Sequence, residues 1–166
     1  MNRRQRLLPG RMGAEQTLNE MRRLTIEAIQ SQIPREYVIR ILRGCYAQNP
    51  ESLAIGLFHF LMQRIIIIDE FEEVLRSPLI LLSEIEAKGK TSGDCDDCAM
   101  LSASLLASAG AMVRFRAIER QPDGSYAHVF TEYKFPRRGE WLQFDVTVSG
   151  RLLPVSDSDL FCNIIS

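Results

Sequence analysis

The fold is decided by residues 94–109, which read DCDDCAMLSASLLASA. Beyond the first turn, the residues are small or apolar on nearly every side, which predicts a helix buried in the middle of the fold. Gly110 follows as a typical glycine stop. At the other end, Asp94 is a predicted N-cap, and Asp97 takes the acidic position of a start that resembles a capping box.

Upstream of this segment the sequence predicts more helices. Residues 14–32 carry apolar side chains at steps of three and four, as an amphipathic helix does. Pro34 and Pro50 each suit the first turn of a further helix, and residues 79–87 predict another. Residues 65–68 are four isoleucines in a row, which fit either a short buried strand or the end of the preceding helix.

Downstream of Gly110 the pattern changes to strands. Residues 111–119 and 126–134 are predicted strands on either side of a turn at Pro122-Asp123-Gly124, and residues 141–147 predict a third strand. Helices first and an antiparallel sheet second make an α+β plan.

Length and composition favour one domain. The chain has 166 residues, of which 46% are hydrophobic and 25% charged, close to the averages for globular domains. We expect a basic flexible tail at 1–13 and one domain at 14–166, divided into a helical part (14–92), a core (93–147) and a C-terminal tail (148–166).

Charge and hydropathy exclude two classes of partner. The formal net charge is −1, so no global field favours nucleic acid. The arginine-rich first 43 residues fit solvated helix faces and a frayed tail, or a patch that docks an acidic partner. The first 13 residues do not resemble a secretory signal, and the apolar stretch 53–68 is interrupted by polar side chains. We therefore expect no membrane partner and a cytoplasmic location.

Four cysteines, at positions 45, 95, 98 and 162, are too few and too unevenly spaced for a disulfide scaffold. Cys95 opens the predicted helix, where unpaired N–H groups and the helix dipole stabilise a thiolate. The neighbouring carboxylates at positions 94, 96 and 97 oppose that effect. A reactive Cys95 therefore needs a cationic partner, which a histidine becomes by taking the thiol proton.

The chain has two histidines. His59 lies in an apolar helix, where a structural role is expected. If residues 135–138 form the loop after the second strand, then Lys134 pairs with Gly139 and His128 lies directly opposite Asp145. Directly opposed residues share a face of the sheet, so Asp145 would orient the imidazole. The sequence thus predicts a triad of Cys95, His128 and Asp145.

Three separated motifs, Gly93-Asp94-Cys95-Asp96-Asp97-Cys98-Ala99, Ala127-His128-Val129 and Trp141-Leu142-Gln143-Phe144-Asp145, resemble the transglutaminase-like cysteine enzymes, most closely the short forms carried by phages and prophages. The resemblance covers about half of the chain. It implies a papain-like fold with a nucleophile helix packed on an antiparallel sheet, and acyl transfer from an amide to Cys95. A cysteine peptidase or amidase is expected more than a crosslinking transglutaminase.

The resemblance also leaves questions about the rest of the site. Trp141 is the only tryptophan, so an oxyanion donor from an upstream tryptophan is absent, and the N–H of Cys95 and the side chain of Gln63 are the candidates instead. Trp141 and Asp97 are further candidates for shaping the substrate site. The expected partner is a peptide or protein amide, and no cofactor or metal is expected.

Two alternatives stay open. Cys95 and Cys98 form a C-x-x-C, which with His128 and Cys162 would supply four zinc ligands, although a second closely spaced ligand pair is missing. A thioredoxin-like use of the same pair lacks a βαβ pattern. The fold could also serve without catalysis, as a phage assembly or interaction module that binds phage structural proteins and is associated with the virion.

Overall fold

A computed structural model describes residues 10–43, 49–68, 74–137, 139–148 and 152–165. Within these residues, five helices and six strands follow one another in the order α1 (Gly10–Gln30), α2 (Ile33–Leu42), α3 (Pro50–Arg64), β1 (Ile65–Ile67), α4 (Pro78–Lys88), β2 (Thr91–Gly93), α5 (Cys95–Ser108), β3 (Met112–Arg120), β4 (Tyr126–Lys134), β5 (Leu142–Phe144) and β6 (Leu160–Ile165).

The predicted helices are confirmed, and local chemistry explains their ends. Asn49 caps α3 by accepting a hydrogen bond from the N–H of Ser52, with Pro50 in the first turn. Ser77 does the same for α4 by accepting from the N–H of Leu79. Gly89 ends α4 at a φ of 78°, a left-handed conformation that glycine adopts without strain.

The strands form two sheets. β1 and β2 pair in parallel, so residues 65–67 are a strand rather than a continuation of α3. The larger sheet is antiparallel and has the order β5-β4-β3-β6. The chain therefore mixes helices with a small antiparallel sheet, as the sequence predicted.

Helix α5 occupies the centre, as its composition predicted. Met100, Leu101 and Leu105 are fully buried, and α5 packs against β4 on one side and against α1 and α2 on the other. The hydroxyl of Thr131 in β4 donates to the carbonyl of Ala99 in α5 over 2.7 Å. This bond helps to set the position of α5 along β4.

The two faces of the larger sheet differ in chemistry. Val113 and Phe115 face the helices and are fully buried. Arg116, on the other face, is only 2% exposed, because it binds Glu132 and Asp159 and the carbonyls of residues 153 and 154. The segment that leads into β6 thus crosses the face opposite the helices.

The C-terminal part of the sequence prediction needs correction. Residues 160–165 were expected in a tail, yet they form β6 and pair with β3. Ile164 is buried and its neighbours are more exposed, which is the alternation of an edge strand. At the other end of the chain, residues 1–9 of the predicted basic tail lie outside the described residues, and α1 begins at Gly10, before the predicted start at 14.

Among the described residues, no helix combines the length and the apolar character needed to cross a membrane.

Candidate active site

Cys95 is the first residue of α5. The carboxylate of Asp94 accepts hydrogen bonds from the N–H groups of Asp96 and Asp97, both at 3.1 Å, which confirms Asp94 as the N-cap. The first bond of the helix itself runs from the N–H of Cys98 to the carbonyl of Asp94. The thiol of Cys95, partly exposed, lies 3.6 Å from Oδ1 of Asp96 and donates to it.

The sulfur of Cys95 lies beside the backbone of strand β4 at Val129. The backbone N–H of Val129, the residue after His128, interacts with the sulfur and lowers its pKa. The last residue pair between β4 and β5 is Thr131 and Phe144. The contact of Val129 with the sulfur therefore lies beyond the part of β4 that pairs with β5. The cysteine predicted as nucleophile therefore lies close to the backbone of the strand that carries His128.

His128 and Asp145 are in contact, with Nε2 and Oδ2 2.7 Å apart. The predicted register was nevertheless wrong. Tyr133 pairs with Leu142 and Thr131 with Phe144, a shift of two residues from the expected pairing, because the connection between β4 and β5 runs from residue 135 to 141. His128 and Asp145 meet diagonally, and they keep a common face because the shift is an even number of residues.

Asp145 is held as an anion. Burial alone would raise its pKa, but hydrogen bonds from His128 and Thr147 outweigh burial and bring the pKa below its ordinary value. The N–H and the hydroxyl of Thr147 both donate to Oδ1, at 2.9 and 2.6 Å. Oδ2 is left for the imidazole, so an ionised Asp145 accepts from Nε2 and leaves Nδ1 of His128 with its lone pair.

The thiol of Cys95 is protonated at neutral pH. Burial and then the charge of Asp96 raise its pKa to about 12, with a smaller contribution from Asp94. The helix start does not overcome these effects. The raised pKa agrees with the expectation that neighbouring carboxylates oppose a thiolate, since Asp96 and Asp94 both contribute to it.

Asp97 faces the protein interior and is 1% exposed. Its carboxylate binds Arg76, with 2.6 Å between Oδ2 and Nη2. Burial raises the pKa of Asp97 to about 6, although Arg76 opposes the change. Arg76 was not predicted from the sequence, because it lies in an irregular segment and belongs to no motif.

The structure places Trp141 away from His128, and it places Gln63 near the end of α3. Trp141 contacts the guanidinium of Arg114 and the ammonium of Lys134. It is thus at the Lys134 end of β4, about 20 Å from His128 at an ordinary strand rise. Gln63 is exposed on the last turn of α3. It precedes β1, whose opposite end pairs with Gly93 close to Cys95.

Of the other cysteines in the described residues, Cys98 lies one turn along α5 from Cys95, whose charge contributes to the raised pKa of Cys98, whereas Cys162 lies in another part of the fold. Cys98 is buried, and burial raises its pKa further than that of Cys95. Cys162 lies in β6, where its sulfur is 3.8 Å from the carbonyl of Leu18 in α1. Cys45 is outside the described residues. Within the described parts of the chain, no group of three or more histidine, cysteine, aspartate or glutamate side chains has a metal-binding arrangement.

No family model, no curated protein and no solved structure matches the chain.

Proposed function

We propose that the chain is a thiol-dependent enzyme of the transglutaminase-like type, with a papain-like core, that cleaves or transfers acyl groups at amide bonds. The observation that carries the proposal is the 2.7 Å contact between Nε2 of His128 and Oδ2 of Asp145, next to a strand residue whose N–H meets the sulfur of Cys95. A nucleophile, a base and an orienting carboxylate are the parts of a covalent acyl-transfer site.

The high pKa of Cys95 decides how the reaction begins. A thiol with a pKa of about 12 is not ionised before the substrate binds, so His128 accepts the thiol proton during the attack rather than earlier. Nδ1 is the basic nitrogen for this step, since Nε2 is bound to Asp145. The N–H of Val129 then stabilises the negative charge that develops on sulfur.

The next steps follow from the same groups. The sulfur bonds to the carbonyl carbon of the amide, and the oxygen takes the negative charge. The N–H of Cys95 is available for that oxyanion, because the Asp94 carboxylate takes the next two N–H groups of the helix. The C–N bond breaks as the imidazolium of His128 returns the proton to the leaving amine. Water or another amine then attacks the thioester, with His128 again as base.

Alkylation with iodoacetamide at neutral pH, followed by peptide mapping, tests the site. We expect Cys95 to be labelled and both His128→Ala and Asp145→Ala to slow its labelling severalfold, because each removes or misorients the base. His59→Ala is the matched control, since His59 is the other histidine and is exposed on α3. Equal labelling rates in all four proteins, or labelling of Cys162 with Cys95 inert, would contradict the triad.

A second measurement tests acyl transfer itself. The protein is incubated with a library of peptides that contain glutamine and backbone amides, and the intact mass is recorded after acid quenching. A thioester on Cys95 adds the acyl mass, and hydroxylamine removes it as a hydroxamate. Cys95→Ser is the control. If Cys95 is reactive toward iodoacetamide but no acylated protein forms with any amide, the site is a reactive thiol without the proposed activity.

A further inference from the structure

Arg76 forms hydrogen bonds with residues that precede and follow Cys95 in the sequence. Its Nε and Nη2 donate to Oδ2 of Asp97 at 3.0 and 2.6 Å, and its backbone N–H donates to Oδ1 at 3.2 Å. Nη2 also donates to the carbonyl of Ser92. The side chain of Arg76 therefore binds Ser92, three residues before Cys95, and Asp97, two residues after it.

The backbone at Gly93, between Ser92 and Asp97, packs tightly against the side chains of Arg76 and Asp97. A Cβ added to Gly93 would lie 2.8 Å from Cβ of Asp97 and 3.5 Å from Nη2 of Arg76. The first distance is far below an ordinary contact, so the turn from β2 into α5 is packed directly on the pair of Arg76 and Asp97. A displacement of this pair would move the backbone that carries Cys95.

Arg76 is in turn attached to α4. Nη1 lies 3.7 Å from Oε2 of Glu84, and the same carboxylate oxygen accepts from the hydroxyl of Thr91 in β2. The side chain of Arg76 is 17% exposed, so water screens these contacts little. Arginine suits the position because three nitrogens of its rigid planar fork reach Asp97, Ser92 and Glu84, whereas lysine has a single nitrogen.

We propose that Arg76 is a positioning residue, which holds Cys95 within reach of His128 by fixing Ser92 and Asp97 on either side of it. This proposal rests on the proposed function of Cys95 and His128. Arg76 has no part in the reaction itself. Arg76 keeps the imidazole of His128 within reach of the Cys95 thiol proton. When Arg76 is lost, both side chains remain but His128 no longer accelerates the reaction of Cys95.

Coupling between Cys95 and His128 is measurable as a ratio of alkylation rates. The ratio is the rate constant for iodoacetamide at Cys95 with His128 present divided by the rate constant in His128→Ala. It is measured first in the otherwise unchanged chain and then in the chain that carries both Arg76→Met and Asp97→Leu. Replacing both members of a buried ion pair with apolar side chains tends to preserve folding. We expect the ratio to fall about tenfold with the pair removed, as for coupled neighbouring groups.

Two further variants make the result specific. Arg76→Lys keeps the charge but not the fork, and we expect an intermediate ratio. Arg40→Met is the matched control, because Arg40 also pairs with a glutamate of α4 but binds neither Ser92 nor Asp97; its ratio stays at the unsubstituted value. Circular dichroism and thermal melting establish that each variant is folded, and Cys162 labelling gives an internal reference.

The outcomes separate the two proposals. A ratio near one in the otherwise unchanged chain means that His128 does not assist Cys95, and the proposed function fails. A large ratio that survives removal of the Arg76 and Asp97 pair in folded protein overturns the positioning role and leaves the triad intact. If the double variant does not fold, Arg76→Lys alone decides, since an unchanged ratio there also contradicts the proposal.

Discussion

The imidazole of His128 stacks on the ring of Phe130, with the ring centroids 5.8 Å apart and the planes inclined by 28°. Phe130 is 1% exposed and has the guanidinium of Arg116 5.4 Å from its ring centroid. Asp145 holds one edge of the imidazole while Phe130 covers one face. Together they restrict rotation of the ring and leave Nδ1 as the nitrogen that would act as base in the proposed reaction.

Phe130→Leu tests this stacking. We expect a loss of about 1–2 kcal/mol in the free energy of unfolding, as for ordinary core truncations, and a severalfold fall in the labelling of Cys95 that depends on His128, because the ring regains freedom. Phe115→Leu is the control, since Phe115 is also fully buried but faces the helices. An equal loss of labelling in both variants would mean that stability, and not stacking, governs the reaction.

Thr131 links the strand of His128 to the helix of Cys95. Its hydroxyl donates to the carbonyl of Ala99 at 2.7 Å, and Thr131→Val removes this bond at nearly constant shape. We expect a loss of about 1 kcal/mol in stability together with slower labelling of Cys95. Thr25→Val removes a buried bond of the same kind inside α1, to the carbonyl of Met21 at 2.8 Å. That control should lose similar stability, as denaturant unfolding will measure, with unchanged labelling.

The central helix and the pairing of His128 with Asp145 were predictable from sequence, for different reasons. A run of small and apolar residues on all sides has few places in a fold other than its centre. The pairing was reached through a wrong register, and it held because a shift of two residues keeps each side chain on its face. The seven-residue connection between β4 and β5 has no signature that distinguishes it from a shorter turn.

Arg76 and strand β6 were not predictable in the same way. Arg76 lies 21 residues before Asp97, outside any regular element, and a long-range ion pair has no periodicity in sequence. In β6 the alternation of apolar and polar residues is weak. Phe161 is apolar and so looks like a core residue in the sequence, but in the structure it is exposed and packs on Arg114. Only the pairing with β3 distinguishes this strand from a tail.

Asp97 should make stability depend on pH between its ordinary pKa of 3.8 and its pKa of about 6 in the folded chain. The folded state holds the proton more strongly than the unfolded state, so this group contributes stability at low pH that is lost as the pH rises through this window. The difference between the two pKa values corresponds to about 3 kcal/mol. Urea unfolding from pH 3.5 to 7 measures it.

Asp97→Asn removes this titration. The difference in the free energy of unfolding between Asp97→Asn and the unsubstituted chain should therefore shift in favour of the variant as the pH rises from 4 to 6.5. Asp145 has the opposite sign, and its lowered pKa means that its stability is lost only as the pH falls below its ordinary pKa of 3.8. Asp145→Asn is thus a control whose difference from the unsubstituted chain stays nearly constant from pH 4 to 6.5, and an equally flat difference for Asp97→Asn would refute the assignment.

The charge of Asp96 should restrain the thiol of Cys95. Burial is the larger cause of the raised pKa, and the Asp96 carboxylate is the next. Asp96→Asn removes the charge and keeps the shape, so we expect the pKa of Cys95 to fall and the thiolate fraction above neutral pH to rise about tenfold. The measurement is the alkylation rate of Cys95 from pH 7 to 10, made in His128→Ala so that the imidazole does not contribute.

Asp123→Asn is the control for this experiment, because Asp123 lies in an exposed turn where its carboxylate accepts from Ser125. It should leave the rate at Cys95 unchanged. Faster alkylation in Asp96→Asn alone would mean that the carboxylate suppresses thiolate formation. Equal rates in the two variants would mean that the charge of Asp96 has no influence on the nucleophile.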